Sequence, residues 1–367
     1  MGKYREEDCS YCTLFNAAYL DRGLAMLRSL SRVSGDIRIY VLTMDEETFC
    51  VLQDLKLKKV RLIRHDDFAT KELLSVRKER TLSEYCWTCT AALIQYVLTY
   101  HSEKICTYVD SDLYFYQNPF CLIEELEKAG GSVQIVEHRF GKGVFAEHML
   151  RYSGRFCVQF NTFDNTEESM RILSEWAGQC LEYCSSVQDG DRLGDQKYLE
   201  EWPQKYGCVH ILQHEGGGMA PWNIHLYRGR EDAAGKCRIE NKYSRECADL
   251  IFYHFHGLQM LGDGKADMNI FTRNLGIQKE LARKLYVPYV RELYQTRTDL
   301  MEAYPYLQRY FKQSFSVGVT QKGKRRLRMN ELAEKIYCRL RDIVLKSRKK
   351  RDFLFVGDTD GTNGDED

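Results

Sequence analysis

The sequence predicts an α/β protein: a Rossmann-like, mostly parallel sheet flanked by helices, with a helical C-terminal extension. Three observations carry this. Short apolar runs bounded by turn residues alternate with segments of helical period through the first half of the chain, and strands interleaved with helices build parallel sheets. Hydrophobic content of 44% with 29% charged residues over 367 positions is that of a globular chain. No apolar run reaches the roughly 18 residues that a membrane-spanning helix needs.

The elements follow in order. "YCTLFNAAYL" opens with a strand ending near Phe15, and "LDRGLAMLRSLSRV" sets Leu20, Leu24, Leu27 and Leu30 on one helical face. "DIRIYVLTMD" is a second strand with the helix "DEETFCVLQDL" behind it, and "KVRLIRHDDF" is a third. The helical "SEYCWTCTAALIQYVLTYH" leads into "KICTYVDSD". "GSVQIVEHRF" and "RFCVQFNTFDN" resume strand character, and "TEESMRILSEWAGQCLEYC" is an amphipathic helix. An irregular polar stretch, Ser185 to Gly194, precedes "GDQKYLEEWPQKYG" and the glycine-rich "QHEGGGMAPWN"; the strand "DLIFYHFHGL" then closes a first domain, residues 1–260.

Residues 261–351 read as a charged helical extension. Its segment 322–351 holds 13 Lys/Arg against 3 Asp/Glu, with Leu332, Ile336, Leu340 and Ile343–Val344 as an apolar stripe. Such a helix either packs with its basic face in water or makes peripheral contact with an anionic membrane. Residues 352–367 are acidic and glycine-rich, the composition of a disordered tail.

Charge and cysteine usage narrow the class. Lys plus Arg equals Asp plus Glu, 53 each, so no global field points to nucleic acid. The start, "MGKYREEDCSYC", lacks a secretory apolar segment. The expected location is therefore cytoplasmic, peripheral at the inner face of the cell membrane if the basic helix meets lipid, and the 14 cysteines are then reduced. Cys9 with Cys12 and Cys86 with Cys89 have C-x-x-C spacing, but the pairs lie too far apart for a zinc ribbon. Strand positions i and i+3 also face opposite ways, so buried thiols are expected.

"TYVDSDLYFYQNP" places Asp110 and Asp112 one residue apart at a strand end, where parallel sheets bind their ligands. The pair either caps a turn or grips a divalent cation, which takes one or two carboxylates plus substrate phosphates. In "FYHFHGL", alternation puts His254 and His256 on one side. Asp195 and Gln196 precede a helix, where Asp195 is an N-cap or a site residue. "GGGMAPWN" offers the amides of Gly217 and Gly218 to a phosphate or sugar but lacks the lysine of an ATP-binding loop. Trp222 and Tyr19 supply flat faces.

In this order the motifs resemble the GT-A-fold glycosyltransferases, most closely family 8 and related bacterial surface-polysaccharide transferases. The likeness runs from Tyr11 to Leu258, about two-thirds of the chain. The family's Y-x-x-G-x-x-x-x-x-S helix corresponds to "YLDRGLAMLRS" with Tyr19, Gly23 and Ser29, at separations close to that pattern; the aspartate pair is "YVDSDLYF", the D-Q pair "GDQKYL", the W-N element "APWN", and H-F-x-G is "HFHG", which selects His254 over His256. The resemblance implies a UDP-sugar donor with Thr13 and Tyr19 near the uracil. It implies Mn2+ (or Mg2+) on Asp110, Asp112, His254 and the diphosphate, Asp195 and Gln196 near the reacting sugar, and retention of configuration. Ser111, Gly217, Gly218 and Trp222 complete the donor-binding set, and the acceptor is a glycan or a lipid-linked sugar. Two features depart from the pattern. Trp87 stands where the family has the arginine of Y-x-R, with Arg80 the nearby substitute, and the K-P-W element after H-F-x-G is missing. The alternatives are a non-catalytic module of the same fold that binds a nucleotide sugar or glycan, and a nucleotidyltransferase, which would release pyrophosphate from a nucleoside triphosphate.

Overall fold

The computed structural model describes residues 2–231, 237–262, 265–270, 279–311 and 353–355. The first part of the chain runs β1 (Cys9–Phe15), α1 (Leu20–Val33), β2 (Arg38–Thr43), α2 (Glu46–Leu55), β3 (Val60–Arg64), α3 (His65–Phe68), α4 (Lys71–Arg77) and α5 (Leu82–Tyr100). It continues through β4 (Ile105–Val109), β5 (Leu113–Phe115), α6 (Phe120–Lys128), β6 (Val133–Glu137), α7 (Val144–Ser153), β7 (Phe156–Asp164), α8 (Glu167–Glu182), α9 (Trp202–Lys205) and β8 (Val209–Ile211). The central sheet has the order β3-β2-β1-β4-β7-β6-β8. Every neighbouring pair is parallel except the two that β7 makes, with β4 and β6. The mostly parallel α/β architecture expected from the alternation is therefore present, with one reversed strand that periodicity does not reveal.

Helices cover both faces, which is why β1 and β4 are apolar on both sides. Cys12 and Leu14 of β1 pack with Leu93 and Ile94 of α5 and with Leu173 and Trp176 of α8. Cys9, Tyr11 and Phe15 face the other way, onto Leu24 and Leu27 of α1, Val51 of α2 and Leu122 of α6. Cys9 and Cys12 thus lie on opposite faces, and among the described residues the cysteines are free thiols.

The spaced glycine and serine of α1 have packing reasons. A Cβ on Gly23 would lie 2.5–2.7 Å from the Phe15 ring, so the helix meets the sheet at a distance only glycine permits. Ser29 Oγ accepts a hydrogen bond from the Phe115 amide at 3.1 Å, tying α1 to β5. Residues 65–68, expected to prolong the third strand, instead turn into α3.

After β8 come a small antiparallel sheet, β9 (Tyr227–Glu231), β10 (Cys237–Asn241) and β11 (Cys247–Asp249), then β12 (Phe252–His254), β13 (Gln259–Gly262) and β14 (Lys265–Asp267). The helix α10 (Lys279–Ala303) lies beyond residue 260 yet shares a core with β12. Phe255 stacks on Tyr289 at 3.8 Å, and the Tyr253 and Tyr286 hydroxyls meet at 3.0 Å. Arg297 Nε donates to the fully buried Asp21 at 2.7 Å, where Arg22 also pairs. A buried carboxylate with two guanidinium partners anchors α10 to α1. The basic segment 322–351 lies outside the described residues. Of the stretch expected to be a disordered tail, Phe353–Phe355 forms a strand, β15, paired with β14. Among the described residues no helix is long and apolar enough to cross a membrane.

At the N-terminus of α5, Glu84 Oε2 accepts from the Thr81 amide at 2.9 Å. Its Oε1 accepts from the Ser186 amide at 2.7 Å and the Ser185 hydroxyl at 2.9 Å. Burial would raise its pKa, but these donors hold it down at about 2.

Two outcomes follow. Glycine to alanine inside a helix ordinarily gains about 0.5–1 kcal/mol; Gly23→Ala is expected to lose about 1–3 kcal/mol by overpacking on Phe15. Urea denaturation reads the sign, and the loss is expected to shrink in a Phe15→Leu background. Because the folded pKa of Glu84 lies below its ordinary value of about 4.3, its contribution is present above about pH 5 and fades as pH falls toward 2. Glu84→Gln is expected to cost about 2–3 kcal/mol at pH 7 and almost nothing near pH 2, measured by denaturation across that range.

Candidate metal centre

β4 delivers Asp110 at its carboxyl end. The Asp110 amide donates to the Gln159 carbonyl of β7 at 3.0 Å, and the Leu113 amide closes a turn onto Asp110 O at 3.2 Å. The chain then reverses into β5, which pairs antiparallel with β12 so that Leu113 faces His254. This register sets the imidazole beside Asp112. The Phe255 amide donates to Asp112 O at 3.0 Å and locks the two segments together.

His254 Nε2 lies 3.0 Å from Asp112 Oδ1 and 3.7 Å from Asp110 Oδ2. Its Nδ1 lies 2.9 Å from Gln159 Oε1. An amide oxygen only accepts, so Nδ1 carries the proton and Nε2 is aimed at the carboxylates, as in metal sites where a second partner sets the tautomer. Both Gln159 and His254 are buried. Burial lowers the His254 pKa, but the charge and hydrogen bond of Asp112, then Asp110, raise it overall. Burial raises Asp112, yet His254 brings it below the usual carboxylate range. Asp110 is shifted upward by burial, partly offset by His254 and reinforced by Asp112. Two carboxylates and an imidazole that relieve one another this way form a donor set suited to a divalent cation.

The site opens on a cavity of about 350 Å³ whose wall includes Asp110, Asp195, Gln196, Trp222, His254 and His256. Asp195 is 6% exposed, and burial together with Asp110 pushes its carboxyl up to about 8. Gln196 Nε2 donates to the Ser153 carbonyl at 2.6 Å. Trp222 meets both imidazoles edge-on, His254 at 5.4 Å and His256 at 5.5 Å. His256 keeps part of its ring open to the cavity; desolvation by the surrounding wall and the neighbouring His254 lower its pKa to about 4. Trp87 also lines the cavity.

The "APWN" element works as a latch. Trp222 Nε1 and Asn223 Nδ2 both donate to the His138 carbonyl, at 2.8 and 2.9 Å, and Asn223 also holds Gly218 O at 2.9 Å. The loop between β8 and β9 and the end of β6 are thereby joined across the cavity rim.

Other expected donor contacts are not brought to the cavity. Arg80 donates to the Cys180 and Leu181 carbonyls at 2.7 and 2.6 Å and also to Thr88 Oγ1. Its guanidinium caps α8 and does not replace the missing arginine. Gly217 and Gly218 serve packing: a Cβ would lie 2.7 Å from Leu212 Cδ2 at the first and 2.7 Å from Val136 Cγ1 at the second, where φ is +96°. The Gly217 amide is taken up by the His214 carbonyl at 3.1 Å. Thr13 is fully buried within β1. Tyr19 is 46% exposed with Arg22 stacked over its ring at 5.0 Å, and Ser111 is half-buried between the aspartates.

Sequence reasoning missed Gln159, His138 and Arg22. Gln159 had a signal, a lone amide inside the apolar "FCVQF". Arg22 had none: its field reaches Asp112 only because α1 packs beside the turn. Gln159→Leu, close in volume, is expected to release the His254 ring and weaken Mn2+ binding about 10- to 100-fold, measured by calorimetric titration.

No family model matches the chain. The sequence is 28% identical over 300 residues to the uncharacterized protein YfnD of Bacillus subtilis (strain 168), spanning 80% of this chain and 92% of that protein. Among solved structures, it is similar to apo mouse xyloside xylosyltransferase 1, at 15% identity and a TM-score of 0.41 over 68% of this chain and 97% of the other. It is also similar to the galactosyltransferase LgtC solved with donor and acceptor sugar analogs, at 12% identity and a TM-score of 0.43 over 68% and 87%.

Proposed function

We propose that this protein is a metal-dependent glycosyltransferase that moves a sugar from a UDP-sugar to a hydroxyl of a glycan or lipid-linked acceptor, with retention at the anomeric carbon. The observation that carries the proposal is the meeting of Asp110, Asp112 and His254 Nε2 at the carboxyl end of β4, on the wall of a cavity large enough for a sugar ring. When bound, Mn2+ or Mg2+ would supply Lewis-acid stabilisation for the charge that develops on the departing diphosphate.

The chain's own groups have separable tasks. Asp110, Asp112 and His254 would hold the cation, with Gln159 orienting the imidazole through Nδ1. Asp110 lies near His254 Nε2 and also lines the cavity, so it would stand between a bound cation and a sugar in the cavity. Asp195, whose carboxyl burial and Asp110 push upward, faces the cavity as a hydrogen-bonding partner for a sugar hydroxyl. Gln196, held by Ser153 O, offers its amide oxygen to the same sugar. Trp222 and Trp87 form apolar walls that exclude water from the ring. No side chain is assigned as a covalent nucleophile. The acceptor hydroxyl attacks from the face the diphosphate leaves, and a leaving phosphate oxygen takes its proton.

Asp112→Ala and His254→Ala are each expected to reduce Mn2+-dependent UDP release from a panel of UDP-sugars by at least about 100-fold, the order of loss when a preorganised charge stabiliser is removed. Circular dichroism should show both variants folded. Undiminished turnover in both folded variants would remove the metal from the mechanism, and pyrophosphate release from a nucleoside triphosphate would redirect the reading to nucleotidyl transfer.

A further inference from the structure

We propose that His256 is a fourth protein ligand of the cation beside Asp110, Asp112 and His254, making a two-imidazole centre that selects Mn2+ over Mg2+. The inference rests on the metal reading of Asp112 and His254 and goes beyond it, because the H-F-x-G pattern assigns no role to the residue between phenylalanine and glycine.

The geometry is specific. One ligand atom each from Asp112, His254 and His256 lie within 4.8 Å of one another. Ligands about 2.0–2.2 Å from a common ion stand at most roughly 4.4 Å apart, so small side-chain rotations suffice. β12 ends at His254 and the turn that follows carries His256 back beside it, while Phe255 between them is fully buried and stacks on Tyr289. That anchor prevents the segment from rolling His256 away from the site. The two imidazoles are 5.4 Å apart between ring centres at an interplanar angle of 83°, and the Trp222 edge braces both. Behind them, Gly257 at φ +71° turns the chain where a Cβ would lie 2.2 Å from Asn269 Nδ2, which fixes where the "HFHG" segment ends.

Chemistry sets the consequence. Mg2+ favours oxygen ligands and retains its waters, whereas a site with nitrogen ligands has an affinity for every divalent first-row transition ion, lowest for Mn2+ but still drawn from its imidazoles. A site with two imidazoles and one or two carboxylates therefore ranks Mn2+ above Mg2+, and His256 supplies part of that ranking.

The test uses the full chain loaded with MnCl2, with and without UDP. Pulsed EPR of the bound Mn2+ is expected to show two coupled imidazole nitrogens in the wild type and one in His256→Ala. Calorimetry is expected to show Mn2+ affinity falling by at least about 10-fold in His256→Ala, the lower end of what losing even a supporting partner costs, while Mg2+ affinity changes less. A wild-type spectrum with a single nitrogen, unchanged in His256→Ala, would overturn the role of His256 and leave the Asp112–His254 reading intact. A wild type that binds no Mn2+, alone or with UDP, would instead overturn that underlying reading. The nitrogen count is taken on the wild type, so it stands even if the variant folds poorly.

Discussion

The short antiparallel ladder between β5 and β12 is the constraint on which the site depends. Three residue pairs set Leu113 against His254, and the Phe255 amide continues the ladder onto Asp112 O. A slip of one residue would turn every side chain of β12 to the opposite face, burying Phe255 where the imidazole stands and exposing His254 to α10. Register is strongly specified here because Phe252, Tyr253 and Phe255 are all buried and Tyr253 and Phe255 have aromatic partners on α10. The position of a metal-binding nitrogen is thus decided by aromatic packing on a helix that follows the site in sequence.

Around this ladder the protein keeps polar groups deep inside its core. Gln159 and Asn223 are fully buried, and each holds a group of the cavity wall in one orientation. Burying such groups costs stability unless their hydrogen bonds are made, and the bonds they make in a low-dielectric interior hold their partners firmly; Gln159 Nε2, by contrast, has no hydrogen-bond partner among the described residues. Asp21 follows the same logic at larger stakes, with Arg22 and Arg297 balancing a carboxylate that has no access to water. Arg22 in turn brings positive charge close to Asp112. Stability and site electrostatics therefore share residues, and the rigidity suits a centre whose proposed task is to hold charge in place.

Much of this was legible in the sequence. Hydrophobic period marked α1, α5 and α8, and apolar runs marked β1, β2, β4, β6 and β7. The D-x-D pair, Asp195 with Gln196, Trp222 and His254 could be singled out because each is polar or aromatic chemistry at an apparent strand or loop boundary, and all of them line or adjoin one cavity. The glycines and Arg80 misled for a common reason. A glycine that approaches a phosphate and one that approaches a leucine look alike in sequence, and an arginine gives no sign of which carbonyls will claim its five N–H groups.

The sequence by itself determined the layered α/β class and the placing of acidic residues at a strand's carboxyl end. Those properties are local, since they follow from side-chain periodicity and from strand polarity. Only the tertiary structure decided that β7 runs against its neighbours, that Gln159 meets His254 across 95 positions of chain, and that Gly23 exists for Phe15. Each of these is a contact between segments distant in sequence, and its energy lies in packing and hydrogen bonds that arise only once the layers have closed.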